Sequence, residues 1–141
     1  GAATRLIEEM GCPSTCLLLT RLPANRLRGE LSRDLEAMLP EICADAGCRL
    51  EAMAIRPEYL QWTILPSPGM TPASLIRMVR QMTSDRILEK YPRMRPIDGS
   101  DDFWAPGYLA LPGTRSPDPK TLYEFIRLTR WRQGYIRGSM D

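Results

Sequence analysis

The residues that could do chemistry in this chain cluster around Ile55-Arg56-Pro57-Glu58-Tyr59-Leu60-Gln61-Trp62-Thr63-Ile64. Arg56-Pro57-Glu58 interrupts an alternation that begins at Leu50, Ala52 and Ala54 and resumes at Leu60, Trp62 and Ile64. That pattern predicts the turn and second strand of a β-hairpin, with Leu60, Trp62 and Ile64 on its apolar face. Tyr59, Gln61 and Thr63 then share the opposite face, because side chains two apart in a strand point the same way. A phenol, a carboxamide and a hydroxyl in a row can bind through hydrogen bonds. They are poor at holding a metal: phenols ionise only near pH ~10, and a lone amide carbonyl is one weak ligand. The chain has no histidine, so imidazole ligands and imidazole bases are excluded.

A second set is basic. Of 19 basic residues 17 are arginine, the side chain suited to bidentate phosphate contact and to stacking. The net charge is only +2, but it is uneven. Residues 1–70 carry 7 basic and 9 acidic side chains, whereas 71–93 and 120–141 each carry 5 basic and 2 acidic ones. Arg77, Arg80 and Arg86 in the first of these stretches and Arg127, Arg130 and Arg132 in the second are the candidate nucleic-acid contacts. The competing reading is that they are solvated faces of helices.

The third set is Cys12, Cys16, Cys43 and Cys48. Their C-x3-C and C-x4-C spacings differ from the C-x2-C pairs of common zinc ribbons. Cys16 falls in an apolar strand and Cys43 on an apolar helix face, where free cysteine acts as a small core residue. No metal site and no cofactor is expected.

The elements that must position these groups are legible in order. Thr15-Cys16-Leu17-Leu18-Leu19-Thr20 reads as a buried central strand. Asn25 is the expected cap of a helix carrying Leu27, Leu31, Leu35, Met38, Leu39 and Ile42, kinked or ended at Pro40 and closed by Ala46-Gly47. The hairpin follows, to Leu65. Thr71-Pro72 opens a second helix with a stripe of Leu75, Met78, Val79, Met82 and Ile87, ended by Tyr91-Pro92. After a polar loop, Leu109-Ala110-Leu111 is a short strand that Pro112 confines to an end or an edge. Asp118 or Pro119 opens a last helix with Leu122, Phe125, Ile126 and Thr129 on one face.

The order β-α-β-β-α-β plus a helix predicts an α+β, ferredoxin-like split βαβ domain. It has a four-stranded antiparallel sheet, helices on one face and a C-terminal helix. Its span is 14–133, with 1–13 a lead-in that includes a helical turn ended by Gly11, and 134–141 a tail. The length suits one domain with its own core. No apolar run approaches the roughly 20 residues that span a bilayer, so membrane insertion is not expected. A cytoplasmic protein, or a piece of a longer one given the Gly1-Ala2-Ala3 start, is the expectation.

Over roughly residues 14–133 the chain resembles the single-tyrosine transposases of the insertion-sequence and REP-associated kind. Three stretches carry the likeness: Pro57-Glu58-Tyr59-Leu60-Gln61-Trp62-Thr63-Ile64, Thr71-Pro72-Ala73-Ser74-Leu75-Ile76-Arg77 and Phe103-Trp104-Ala105-Pro106-Gly107-Tyr108. The last is similar to the family's Trp-x-x-Gly-Tyr and is the most specific. The family has His-hydrophobic-His on the metal strand, where this chain has Tyr59 and Gln61. Its nucleophile sits in a Tyr-Ile-x-x-Gln context, where this chain has Phe125-Ile126. Tyr123 lies two residues earlier, about 200° around a helix and on another face.

The resemblance therefore implies a transposase-derived domain without catalytic residues, Tyr59, Gln61 and Phe125 being relic positions. Two functions follow as expectations. One is binding of a hairpin or structured single strand through the arginine-bearing helices. The other is a protein-protein module, with a protein partner or a homodimer, for which the eight methionines and the modest charge speak.

Overall fold

The computed structural model describes residues 11–138. Its strands are β1 (Ser14–Leu19), β2 (Arg49–Arg56), β3 (Tyr59–Leu65) and β4 (Leu109–Pro112), and its helices α1 (Gly29–Ala46), α2 (Pro72–Lys90) and α3 (Pro119–Arg132). The sheet is antiparallel in the order β2-β3-β1-β4. This is the predicted α+β arrangement, with Pro112 in an edge strand. The lead-in before Gly11 lies outside the described residues.

The sheet is covered on both sides. Cys16, Leu18, Leu60, Trp62 and Ile64 pack with Leu31, Leu35 and Leu39 of α1 and Leu75, Val79 and Ile87 of α2. On the other face Leu17 and Leu19 meet Tyr59, Leu109, Leu122, Phe125 and Ile126, so α3 is the second layer. The buried α2 stripe also takes in Ile76 and Leu88, while Met78 and Met82 are only partly covered. Cys16, Cys43 and Cys48 are buried free thiols and Cys12 is exposed. Burial pushes the Cys16 thiol up, and burial together with the neighbouring Cys48 pushes Cys43 up to about 12, so both are neutral, unreactive core groups.

Local signals explain the ends of the elements. Thr71 and Ser74 form a reciprocal capping box with Pro72 at the first helical position, and Asp118 accepts from the Thr121 N–H at 2.8 Å. Gly47 stops α1 with φ 76°, a conformation that glycine adopts without a Cβ clash.

Two expectations are corrected. Asn25 does not cap α1, which begins four residues later; its amide instead donates to the Met94 carbonyl at 3.1 Å, tying the loop before α1 to the one after α2. Pro40 does not end α1, which runs on to Ala46 with Pro40 on its exposed side.

α1 and α2 are also joined at the surface. Asp34 accepts from the Tyr91 hydroxyl at 2.5 Å and pairs with Lys90 at 2.9 Å. The Tyr91 bond, then Lys90, hold the Asp34 carboxyl below its ordinary range. A carboxyl whose folded-state pKa is depressed contributes stability that is present above its unfolded pKa and lost as pH falls through the folded one. The wild type should therefore lose stability relative to Asp34→Asn as pH drops below about 4, which urea unfolding at stepped pH will measure. The gap between the two should be widest near neutrality.

Candidate functional site

The polar row on β3 faces α3, as the alternation requires. Antiparallel pairing sets Tyr59 opposite Leu19, Gln61 opposite Leu17 and Thr63 opposite Thr15. Thr63 and Gln61 are already engaged in hydrogen bonds. Thr15 donates to the Gly113 carbonyl at 3.0 Å, so it accepts from Thr63 at 2.8 Å, both hydroxyls being buried. Gln61 Nε2 donates to Ser116 Oγ at 2.8 Å, in the loop between β4 and α3. The Tyr59 ring joins the apolar cluster that contains Phe125.

The three positions singled out as Tyr59, Gln61 and Phe125 thus share one face and one layer. They bring together a phenol, an amide and a hydrocarbon ring. Tyr123 points elsewhere and is 62% exposed. Among the described residues no group of three histidine, cysteine or carboxylate side chains could hold a metal ion.

The six arginines are distributed differently from the sequence picture of two equivalent stripes, since α2 and α3 lie on opposite faces of the sheet. Arg77 on α2 and Arg127 and Arg132 on α3 make no ion pair among the described residues. Arg86 reaches Glu41 at 3.5 Å on the surface. Arg80 and Arg130 turn inward.

Arg80 pairs with Asp102 at 2.8 Å and donates to the carbonyls of Ala105, at 2.9 Å, and Gly107. It thereby fixes the segment Phe103-Trp104-Ala105-Pro106-Gly107-Tyr108 against α2. Ser84 assists by accepting from the Phe103 N–H at 2.8 Å, and Trp104 Nε1 donates to Thr83 at 2.9 Å. The same segment pairs with the end of β1, through Ala105 N–H to Leu19 and Arg21 N–H to Phe103. Phe103 and Trp104 are core, whereas Tyr108 is 46% exposed.

Arg130 is buried and donates to the Thr20 carbonyl at 2.8 Å and to Gln133 Oε1 at 2.8 Å, while Gln133 Nε2 donates to the Arg21 carbonyl at 2.9 Å. Burial pushes its guanidinium down, with Glu58 and Tyr135 acting in the opposite sense. Together Arg130 and Gln133 hook the C-terminal turn of α3 to the end of β1.

These hooks border a groove of about 800 Å³ that sequence reading missed. Arg21, Ile97, Tyr108, Leu128, Arg132 and Tyr135 line it with their neighbours. Four separate segments supply these residues, so no local motif marks it. The Trp-x-x-Gly-Tyr stretch and the clustered arginines were the only signals near it.

An open antiparallel sheet with two helices on one face and one on the other defines an α+β domain of the split βαβ kind. The sequence pattern described as "Transposase IS200 like" matches residues 14–129, and the chain belongs to that family. A crystal structure of a Deinococcus radiodurans R1 protein classed as a transposase is similar, at TM-score 0.65 and 16% identity over 89% of this chain and 92% of that one. So is a REP-associated tyrosine transposase bound to a REP hairpin, at TM-score 0.54 and 13% identity over 90% of this chain and 71% of that one. A comparison with curated proteins gives no match.

The inward arginines predict a contrast within α2. Arg80→Ala strands the Asp102 carboxylate and two carbonyls in a partly buried spot and should cost more than about 1.5 kcal/mol in urea unfolding. Arg77→Ala, fully at the surface, should stay within about 0.5 kcal/mol of wild type.

Proposed function

We propose that this domain binds structured nucleic acid, a hairpin or folded single strand, and does not cut it. The observation that carries the second half is the composition of the face under α3. Metal-assisted transesterification of a phosphodiester needs ligands that polarise the phosphate and a hydroxyl placed to attack it. Among Tyr59, Gln61 and Phe125 the only carbonyl is that of Gln61, Phe125 puts no hydroxyl at its place on α3, the Thr129 hydroxyl one turn on is given to the Phe125 carbonyl, and Gln61 and Thr63 already bond to the protein.

Binding is supported by the family, by the hairpin held by a protein of the same fold, and by the arginines without carboxylate partners. Arg77, Arg127 and Arg132 supply the phosphate contacts in this reading, with Arg86 as a fourth weakly held by Glu41. Arg80 and Arg130 serve the same end indirectly, by shaping the surface between α2, α3 and the loops.

Fluorescence anisotropy with a labelled DNA hairpin tests this. Three phosphate contacts give a log-log salt slope of roughly −2.7, so affinity should fall on the order of fortyfold when salt is raised fourfold. Arg127→Ala or Arg132→Ala should each reduce the slope by about 0.9. Incubation of a hairpin or single strand with Mg²⁺ or Mn²⁺ should leave no protein-DNA adduct on a denaturing gel. An adduct would overturn the non-cutting half, and no binding at low salt would overturn the other.

One observation favours a second reading, as a protein-binding module or homodimer. β2 is an eight-residue edge strand whose outer backbone groups face no other strand among the described residues. A stable dimer in sedimentation, together with absent hairpin binding, would establish that reading instead.

A further inference from the structure

The turn that ends α1 sets two cysteines against each other. With Gly47 at φ 76°, its N–H donates to the Ala44 carbonyl at 3.2 Å and the Cys48 N–H donates to the Cys43 carbonyl at 3.1 Å. A crossed pair of bonds of this kind brings the side chains of its outer residues together, usually in an apolar contact. Here both outer residues are cysteine. The Cys48 thiol donates to the Cys43 carbonyl at 3.5 Å and stands within hydrogen-bond reach of the Cys43 thiol. A disulfide needs Cα atoms roughly 4.4–6.8 Å apart, and a backbone hydrogen bond between the same two residues keeps them close. The two are unequally covered, Cys43 being 2% exposed and Cys48 9%.

We propose that Cys43 and Cys48 are a redox pair, which a hydroperoxide converts to a disulfide tying the end of α1 to the start of β2. The inference is independent of the nucleic-acid reading. Cys48, the more open thiol, reacts first. Its thiolate attacks one peroxide oxygen, the O–O bond breaks, hydroxide leaves and the sulfur becomes a sulfenic acid. Cys43, which burial and then the neighbouring thiol hold neutral, does not compete for the peroxide. Its sulfur then attacks the Cys48 sulfur: the S–O bond breaks, the S–S bond forms, and the departing hydroxide takes the Cys43 proton as water. In sum two thiols are oxidised, one peroxide is reduced and two waters form. A thiol reductant reverses the bond by exchange. β2 begins at the next residue, so the bond fastens the edge strand of the sheet to the helix packed against it.

The test uses Cys12→Ser, which removes the exposed thiol and leaves three cysteines. Folded protein is treated with hydrogen peroxide, alkylated in denaturant and digested with trypsin, which leaves Cys43 and Cys48 together in the peptide 34–49. That peptide should lose two hydrogens and take no alkyl group, while Cys16, buried in β1, is alkylated as in untreated protein. Free thiols should fall from three to one. The urea midpoint should rise and return to its starting value on addition of dithiothreitol, because a cross-link restricts the unfolded chain. In the same background Cys43→Ala should leave Cys48 as a sulfenic acid that dimedone traps, since the second sulfur is missing. The peptide readout is taken on Cys12→Ser alone, so it stands whether or not Cys43→Ala folds. Alkylation of both cysteines after peroxide, or sulfinic acid at Cys48 beside a free Cys43, overturns the pairing. So does a disulfide that forms only when peroxide is added in urea, since it then owes nothing to the fold.

Discussion

The constraint on which the rest of this structure depends is the burial of β1 on both faces. Thr15, Cys16, Leu17, Leu18, Leu19 and Thr20 are each at most 1% exposed. A strand alternates its side chains, so a continuous run of buried residues needs a layer on each side of the sheet. α1 and α2 provide one over Cys16 and Leu18. α3 provides the other over Leu17 and Leu19, and in doing so it closes over the polar row of β3. The face that could carry chemistry is thus the inside of the second, smaller core, and what stands there must be compatible with packing.

Much of this was legible because the signals are local. The hairpin alternation, Thr71-Pro72 before α2, Asp118-Pro119 before α3 and Gly47 after α1 each act within a few residues, and each element sits where they imply. Asn25 misled because a capping residue and a loop anchor look alike in sequence. The side chain expected to meet the next turn's N–H instead binds the Met94 carbonyl, a partner 69 positions away. The groove was hidden for the same reason, being assembled from segments near positions 21, 97, 107 and 130 that meet only after folding.

Arginine shows the limit most clearly. Periodicity groups Arg77 with Arg80 on α2, and Arg127 and Arg132 with Arg130 on α3, as members of basic stretches. In the fold Arg80 and Arg130 are tethers. A guanidinium has five donors in a rigid fork, which suits it as well to several converging carbonyls as to a phosphate. Arg80 gathers Asp102, Ala105 and Gly107, and Arg130 gathers Thr20 and Gln133. Charge counts along the sequence therefore overstate the charge offered to a partner, and the excess that remains is confined to a few side chains.

The two tethers also divide the work of α3 between its ends. Leu122 and Ile126, with Phe125, lie in the cluster against Leu17 and Leu19, where the helix seals the sheet. One turn later Leu128 and Arg132 line the groove, while Arg130 and Gln133 between them bind the end of β1. A helix advances 100° per residue, so successive residues cannot all face one surface, and Phe125, which both packs in the cluster and lines the groove, stands where the two roles meet. The two ends are therefore coupled: any shift of α3 that loosened Leu122, Phe125 and Ile126 from Leu17 and Leu19 would carry Arg132 with it. The same packing that keeps Gln61 and Thr63 in their own hydrogen bonds fixes the α3 wall of the groove.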